Sequence, residues 1–174
     1  MKIGILTHYG VNNQGAQLQL YALYKWLEEY GHEPKVLTYQ KNYDFEPQEG
    51  RKNEVSYKSI PYYLHNYLLK KGLGLTVHNI RKYRKHKRFR ARTFEHEDYV
   101  KADIDLAIVG SDEVFSLDAG VNIMMYGHVV NADHLIAYAP SFGQTDIARI
   151  EEYHCRELIA SGLSRFEAIS VRDE

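Results

Sequence analysis

The first apolar positions are Ile3, Ile5 and Leu6, in a run that turns polar at Thr7 and His8. Its shortness and β-branching predict a buried strand over residues 2–7. A polar, glycine-bearing stretch follows, from His8 to Gly15. Ala16, Leu20, Leu23 and Leu27 then recur at spacings of 4, 3 and 4, one face of an amphipathic helix. Asn12 or Asn13 is suited to cap its start, and Gly31 stands where a helix ends. Val36, Leu37 and Tyr39 make the next strand. Strand, loop, helix, glycine, strand is a βαβ unit, which predicts a right-handed parallel crossover.

Residues 41–57 are polar and read as a loop. Ile60, Tyr63, Leu64, Tyr67 and Leu68 predict a helix over 58–71, broken by Gly72 and Gly74. Val77, Ile80, Tyr83 and Arg84 have helical spacing within 76–93, with charge elsewhere, so a second helix with a solvated face is expected. Leu106 to Val109 is a buried strand ending at Gly110, and Ile136 to Ala139 is another ending at Pro140. A helix from about Asp146 to Ala160, capped by Thr145, leads to a last strand at Ala168 to Val171. Alternating strands and helices define an α/β domain with a mainly parallel sheet.

Charge changes this picture in one place. The net charge is −1, yet residues 70–92 hold ten Lys/Arg and no Asp or Glu. The rest of the chain carries 12 basic and 23 acidic residues, a balance of −11. Arg81, Arg84, Lys85 and Arg88 in the basic helix could draw an anionic substrate, an anionic membrane surface or nucleic acid. The plainer alternative is a solvated face paired with the acidic remainder. No nucleic-acid motif surrounds the helix, and its aromatics are sparse, so no nucleic-acid partner is expected. No run of about 20 apolar residues exists to span a membrane. No signal peptide is recognisable, and the single Cys155 fits a reducing compartment as a small buried side chain. The expected location is the cytoplasm or the inner face of its membrane.

Ligands of open parallel sheets bind beyond the carboxyl ends of the strands. Three such loops are rich in small and polar residues. The first holds His8, Gly10, Asn12, Asn13, Gln14 and Gly15. Its glycines allow close approach or positive φ, its amides suit sugar hydroxyls, and it feeds a helix N-terminus that favours anions. Equally, Asn and Gly could simply make the turn and cap. The second holds Ser111, Asp112 and Glu113, with the two carboxylates as candidate bases or hydroxyl acceptors. Equally, Ser111 and Asp112 could cap a turn. The third holds Ser141, Phe142 and Gly143. The loops fit neither the dinucleotide G-x-G-x-x-G fingerprint nor a P-loop. Ser111 is not in a G-x-S-x-G elbow, and the nine histidines show no metal-ligand spacing, so neither a metal nor a resident cofactor is expected.

Four segments together resemble the bacterial polysaccharide pyruvyl transferase family. They are Lys2 to Thr7 with Asn12-Asn13-Gln14-Gly15-Ala16-Gln17-Leu18-Gln19, Ile108-Val109-Gly110-Ser111-Asp112-Glu113-Val114-Phe115, Ala137-Tyr138-Ala139-Pro140-Ser141-Phe142-Gly143, and Phe166 through Glu174. Glu113 stands where the family usually has Gln, and Phe115 where it usually has Trp. The resemblance implies a Rossmann-like three-layer domain, similar to the N-terminal half of a glycosyltransferase B-type fold. It implies transfer of pyruvate from phosphoenolpyruvate, as co-substrate, to a saccharide or lipid-linked saccharide acceptor. It also implies that the three loops face the acceptor. The family continues into a second Rossmann-like domain that this sequence lacks. The 174 residues alone are therefore expected to form one acceptor-side domain without transfer activity. A stand-alone saccharide-binding or interaction module, and an anionic-surface or nucleic-acid binder acting through helix 76–93, are the alternatives.

Overall fold

A computed structural model describes residues 1–39, 72–118 and 120–171. In chain order the elements are β1 (Lys2–Leu6), α1 (Gln14–Glu29), β2 (Glu33–Thr38), α2 (Gly72–Thr93), β3 (His96–Asp98), β4 (Ile104–Gly110), a 3-10 turn (Ile123–Tyr126), β5 (Ala132–Tyr138), α3 (Ile147–Glu152), α4 (Arg156–Leu163) and β6 (Ala168–Ser170). Two compact units are present: residues 1–52 with 94–174, and residues 53–93, which contain α2. The expected loop at 41–57 and helix at 58–71 lie outside the described residues.

In the first unit the strands form one sheet in the order β3-β2-β1-β4-β5-β6. Every neighbouring pair is parallel. Side chains alternate between its faces because successive strand residues point to opposite sides. Ile3, Ile5, Val36 and Ile108 pack with Leu20, Tyr24 and Leu27 of α1. Leu6, Leu37, Ala107, Val109, Leu135 and Ala137 pack on the other face with Tyr126 and Ile159. Helix, sheet and helix are thus three layers, a Rossmann-like α/β arrangement. Gly4 sits mid-strand in β1, where an added Cβ would lie 2.5 Å from the Ile104 Cδ1 and 2.6 Å from the Leu37 Cδ1. Its missing side chain makes room for both neighbours.

The first βαβ unit forms as the pattern predicts. Asn13 caps α1 by accepting a hydrogen bond from the Gly15 N–H. Gly31, at φ +78°, closes it, with its own N–H bonded to the Glu28 carbonyl and the His32 N–H to the Leu27 carbonyl. The buried stripe, however, is Gln17, Leu20, Tyr24 and Leu27, so α1 is turned one position from the Ala16-Leu20-Leu23-Leu27 face.

Other expectations are corrected. Helix 146–160 is two helices, α3 and α4, separated at His154, whose φ is +49°. The His154 N–H bonds the Glu151 carbonyl and the Cys155 N–H the Ile150 carbonyl, the paired closure that a left-handed residue permits. Asp146, not Thr145, caps α3. The Thr145 hydroxyl instead accepts from the Leu117 N–H at 2.8 Å. Cys155 is buried where α4 begins. Gly72 and Gly74 lie at the start of α2, and the helix they were expected to break, at 58–71, lies outside the described residues. Strand β3 adds a sheet edge with no counterpart in the apolar pattern. Among the described residues, no helix is long and apolar enough to cross a membrane.

At the β5–β6 edge, His134 Nδ1 lies 2.7 Å from a Glu167 carboxylate oxygen. That hydrogen bond, and then the carboxylate charge, raise the His134 pKa above the ordinary histidine value. Because the folded value is the higher, the bridge stabilises fully below the unfolded pKa. Its contribution fades as pH rises through the folded pKa. An NMR titration should find His134 titrating above the usual histidine pKa, and Glu167→Gln should return it toward that value. An unchanged titration in the variant would refute the bridge.

Candidate functional site

The order of the strands places β1 beside β4, with β2 and β3 on one side and β5 and β6 on the other. Chain direction across the sheet reverses between β1 and β4, which opens a crevice beyond their carboxyl ends. The loops after β1 and β4 flank that crevice, and the loop after β5 lies next to it.

His8 follows β1 and spans the crevice. Its Nε2 is 3.3 Å from the Glu113 carbonyl oxygen, across to the β4 loop. Its Nδ1 is 3.4 Å from the Tyr39 hydroxyl, which follows β2. The Tyr39 hydroxyl also reaches the Thr7 carbonyl at 3.4 Å, and Tyr9 stacks edge-on against the Tyr39 ring at 5.4 Å. Burial, then the neighbouring Tyr9 and Asp112, push the Tyr39 phenol well above its ordinary pKa. Tyr39 is therefore a neutral hydroxyl beside the crevice.

Gln17 holds the first loop in shape. Its side-chain NH2 donates to the Tyr9 carbonyl at 2.9 Å and the Val11 carbonyl at 3.2 Å. Only an NH2 can serve two carbonyls, which fixes the amide orientation. Gly10, Asn12, Asn13, Gln14 and Gly15 are exposed along this loop and the first turn of α1. The side chain of Asn13 is committed to capping. Neither Gly10 nor Gly15 has positive φ, contrary to one reading of the sequence. That conformation belongs to Gly110 and Gly143 instead.

The second and third loops are joined backbone to backbone. The Ser141 N–H donates to the Asp112 carbonyl at 3.0 Å, and the Phe115 N–H to the Ser141 carbonyl at 3.1 Å. Asp112 Oδ1 accepts from the Glu113 N–H at 2.9 Å, so this carboxylate shapes its own turn. The Glu113 carboxylate is different. It is exposed and makes no hydrogen bond among the described residues. It lies over Gly143, whose Cβ, were there one, would be 3.2 Å from the carboxyl carbon. Ser111 is half-buried at the crevice edge. The Ser141 hydroxyl is buried and accepts from the Gly143 N–H at 3.0 Å. Phe142 packs its ring 5.2 Å from Phe115, tying its loop to the core.

The structure thus gathers His8, Ser111, Asp112, Glu113, Ser141 and Gly143 at one sheet edge. The cations Arg81, Arg84, Lys85 and Arg88 belong to α2, in the second compact unit. Sequence reasoning passed over Tyr9, Gln17 and Tyr39. Tyr39 follows directly on the end of β2, so the same rule of carboxyl ends could have found it. Gln17 falls three residues before Leu20 on the buried stripe, where a polar side chain signals a structural hydrogen bond.

A parallel sheet in the order β3-β2-β1-β4-β5-β6, with small, polar loops beyond the β1/β4 switch point, defines a Rossmann-like α/β domain. Residues 13–174 match the polysaccharide pyruvyl transferase family. The chain belongs to that family, and the matched region contains the loops after β4 and β5. Comparison with curated proteins and with solved structures finds no match.

Proposed function

We propose that the loops after β1, β4 and β5 form the acceptor-facing wall of a cleft for pyruvyl transfer, with Glu113 as the base that takes the sugar hydroxyl proton. The observation that carries this is the contrast between the paired carboxylates. Asp112 is spent on its own turn, whereas the Glu113 carboxylate, at the switch-point crevice, makes no hydrogen bond with a described residue. His8 holds the Glu113 backbone in place from the opposite side.

The chemistry matches that arrangement. One sugar hydroxyl adds to the phosphate-bearing carbon of phosphoenolpyruvate as the methylene carbon takes a proton. The second hydroxyl displaces phosphate and closes a cyclic ketal. The proton lost by the first hydroxyl balances the one gained by the methylene carbon, and that lost by the second leaves with phosphate, so an exposed carboxylate that receives each in turn must pass it on before the next step. The amides of Asn12 and Gln14 and the Tyr39 hydroxyl supply donors and acceptors for the remaining sugar hydroxyls.

Titration of the isotope-labelled chain with a panel of hexopyranosides tests the reading. Amide shifts are expected at His8 to Gly15, Ser111 to Glu113 and Gly143. Saccharides that leave all of these unmoved would overturn it.

A further inference from the structure

Helix α2 extends over 22 residues, about 33 Å at the usual rise. It carries eight Lys/Arg and no Asp or Glu. Exposure along it is uneven, with Tyr83 exposed even within the more covered stripe. Asn79, Lys82, His86, Arg90 and Thr93, at spacings of 3 and 4, are half-buried or buried. Val77, Ile80, Arg84, Lys87, Arg88 and Ala91 occupy the opposite side and are all exposed. The apolar positions of this helix therefore face outward, not into a core as their spacing suggests. Val77 is 44% and Ile80 47% exposed.

Six of the cations lack an ion-pair partner among the described residues. Arg81, Arg84, Lys85, Lys87, Arg88 and Arg92 are exposed and make no ion pair with any described residue. The excess negative charge of the remaining residues would leave this helix as the natural point of approach to an anionic surface.

We propose that α2 is a docking helix for an anionic bilayer surface. Its cations would meet lipid phosphates while Val77 and Ile80 enter the headgroup boundary. Two exposed aliphatic side chains on the cationic face favour a lipid surface over nucleic acid, whose phosphates offer them nothing to bury against. A line of charge this long also exceeds the reach of a single phosphate ligand. The proposal is independent of the saccharide reading, because none of these residues belongs to the sheet-edge loops.

Co-sedimentation of the full chain with vesicles tests it. Wild type is expected to bind phosphatidylglycerol-containing vesicles at least about tenfold better than pure phosphatidylcholine vesicles, and to be released by salt. The triple variant Arg81→Glu, Arg84→Glu, Arg88→Glu should partition at least about 100-fold more weakly, with unchanged circular dichroism. Should that variant unfold, Arg84→Gln with Arg88→Gln must still lower partitioning. Val77→Ser with Ile80→Ser should weaken vesicle binding and leave heparin retention unaltered. No binding to anionic vesicles, binding by the charge variants at wild-type strength, or complete displacement by duplex DNA at equal phosphate concentration would overturn the proposal.

Discussion

Replacing Gly110 with alanine is expected to cost about 4 kcal/mol, enough to remove a large part of the stability of a domain this size. Gly110 ends β4 at φ +120°, a conformation that residues with a side chain rarely adopt. An added Cβ would also run into the Tyr138 carbonyl of β5, which is backbone and cannot swing aside. Strain and collision act together, and both fall where the Ser111–Glu113 loop leaves the sheet. Gly10→Ala is the matched control. Its φ is not positive and nothing lies within 4 Å of the new methyl, so a change within about 0.5 kcal/mol is expected. Urea denaturation of both variants measures the difference. Equal midpoints would show that Gly110 tolerates a side chain and that the loop geometry is not built on it.

The second large effect is expected at Phe115. Its side chain is 1% exposed, stacks on Tyr126 at 5.2 Å with an interplanar angle of 13°, and meets Phe142 and Phe166. Its backbone N–H bonds the Ser141 carbonyl, and its carbonyl accepts from the Tyr126 hydroxyl at 2.6 Å. Phe115→Ala should cost about 4 kcal/mol through the lost contacts and the cavity left behind. The loss should also move amide resonances of Ser141 to Gly143, because the ring that anchors Phe142 is gone. Phe115→Leu should retain more of the stability. A truncation that costs under about 1 kcal/mol would mean the aromatic cluster repacks and does not support the loops.

These two positions also show what the sequence could and could not reveal. The β1-α1-β2 unit was legible because its signals are local: a short apolar run, an Asn cap, a glycine stop. The gathering of the loops at one edge followed from the parallel strands alone. Strand β3 was not legible, since His96, Glu97 and Asp98 hold an edge with backbone bonds and offer no apolar alternation. The break between α3 and α4 was hidden because a histidine, and not a glycine, takes the left-handed turn. The difference between Asp112 and Glu113 depends on a hydrogen bond to the next residue's amide, which adjacent letters do not display. The outward aliphatics of α2 reversed the usual reading of spacing, because spacing gives the face of a helix without saying which way it points.

The sheet's two margins are unequal in one further respect. Both β3 and β6 are three residues long, which limits the ladder either could offer to a stray strand. But β3 is His-Glu-Asp, whereas β6 is Ala-Ile-Ser, with Ile169 43% exposed. Charge guards the first margin against self-association, and nothing comparable in β6 guards the second. Among the described strands, β6 is therefore the margin better suited to pair with a further strand.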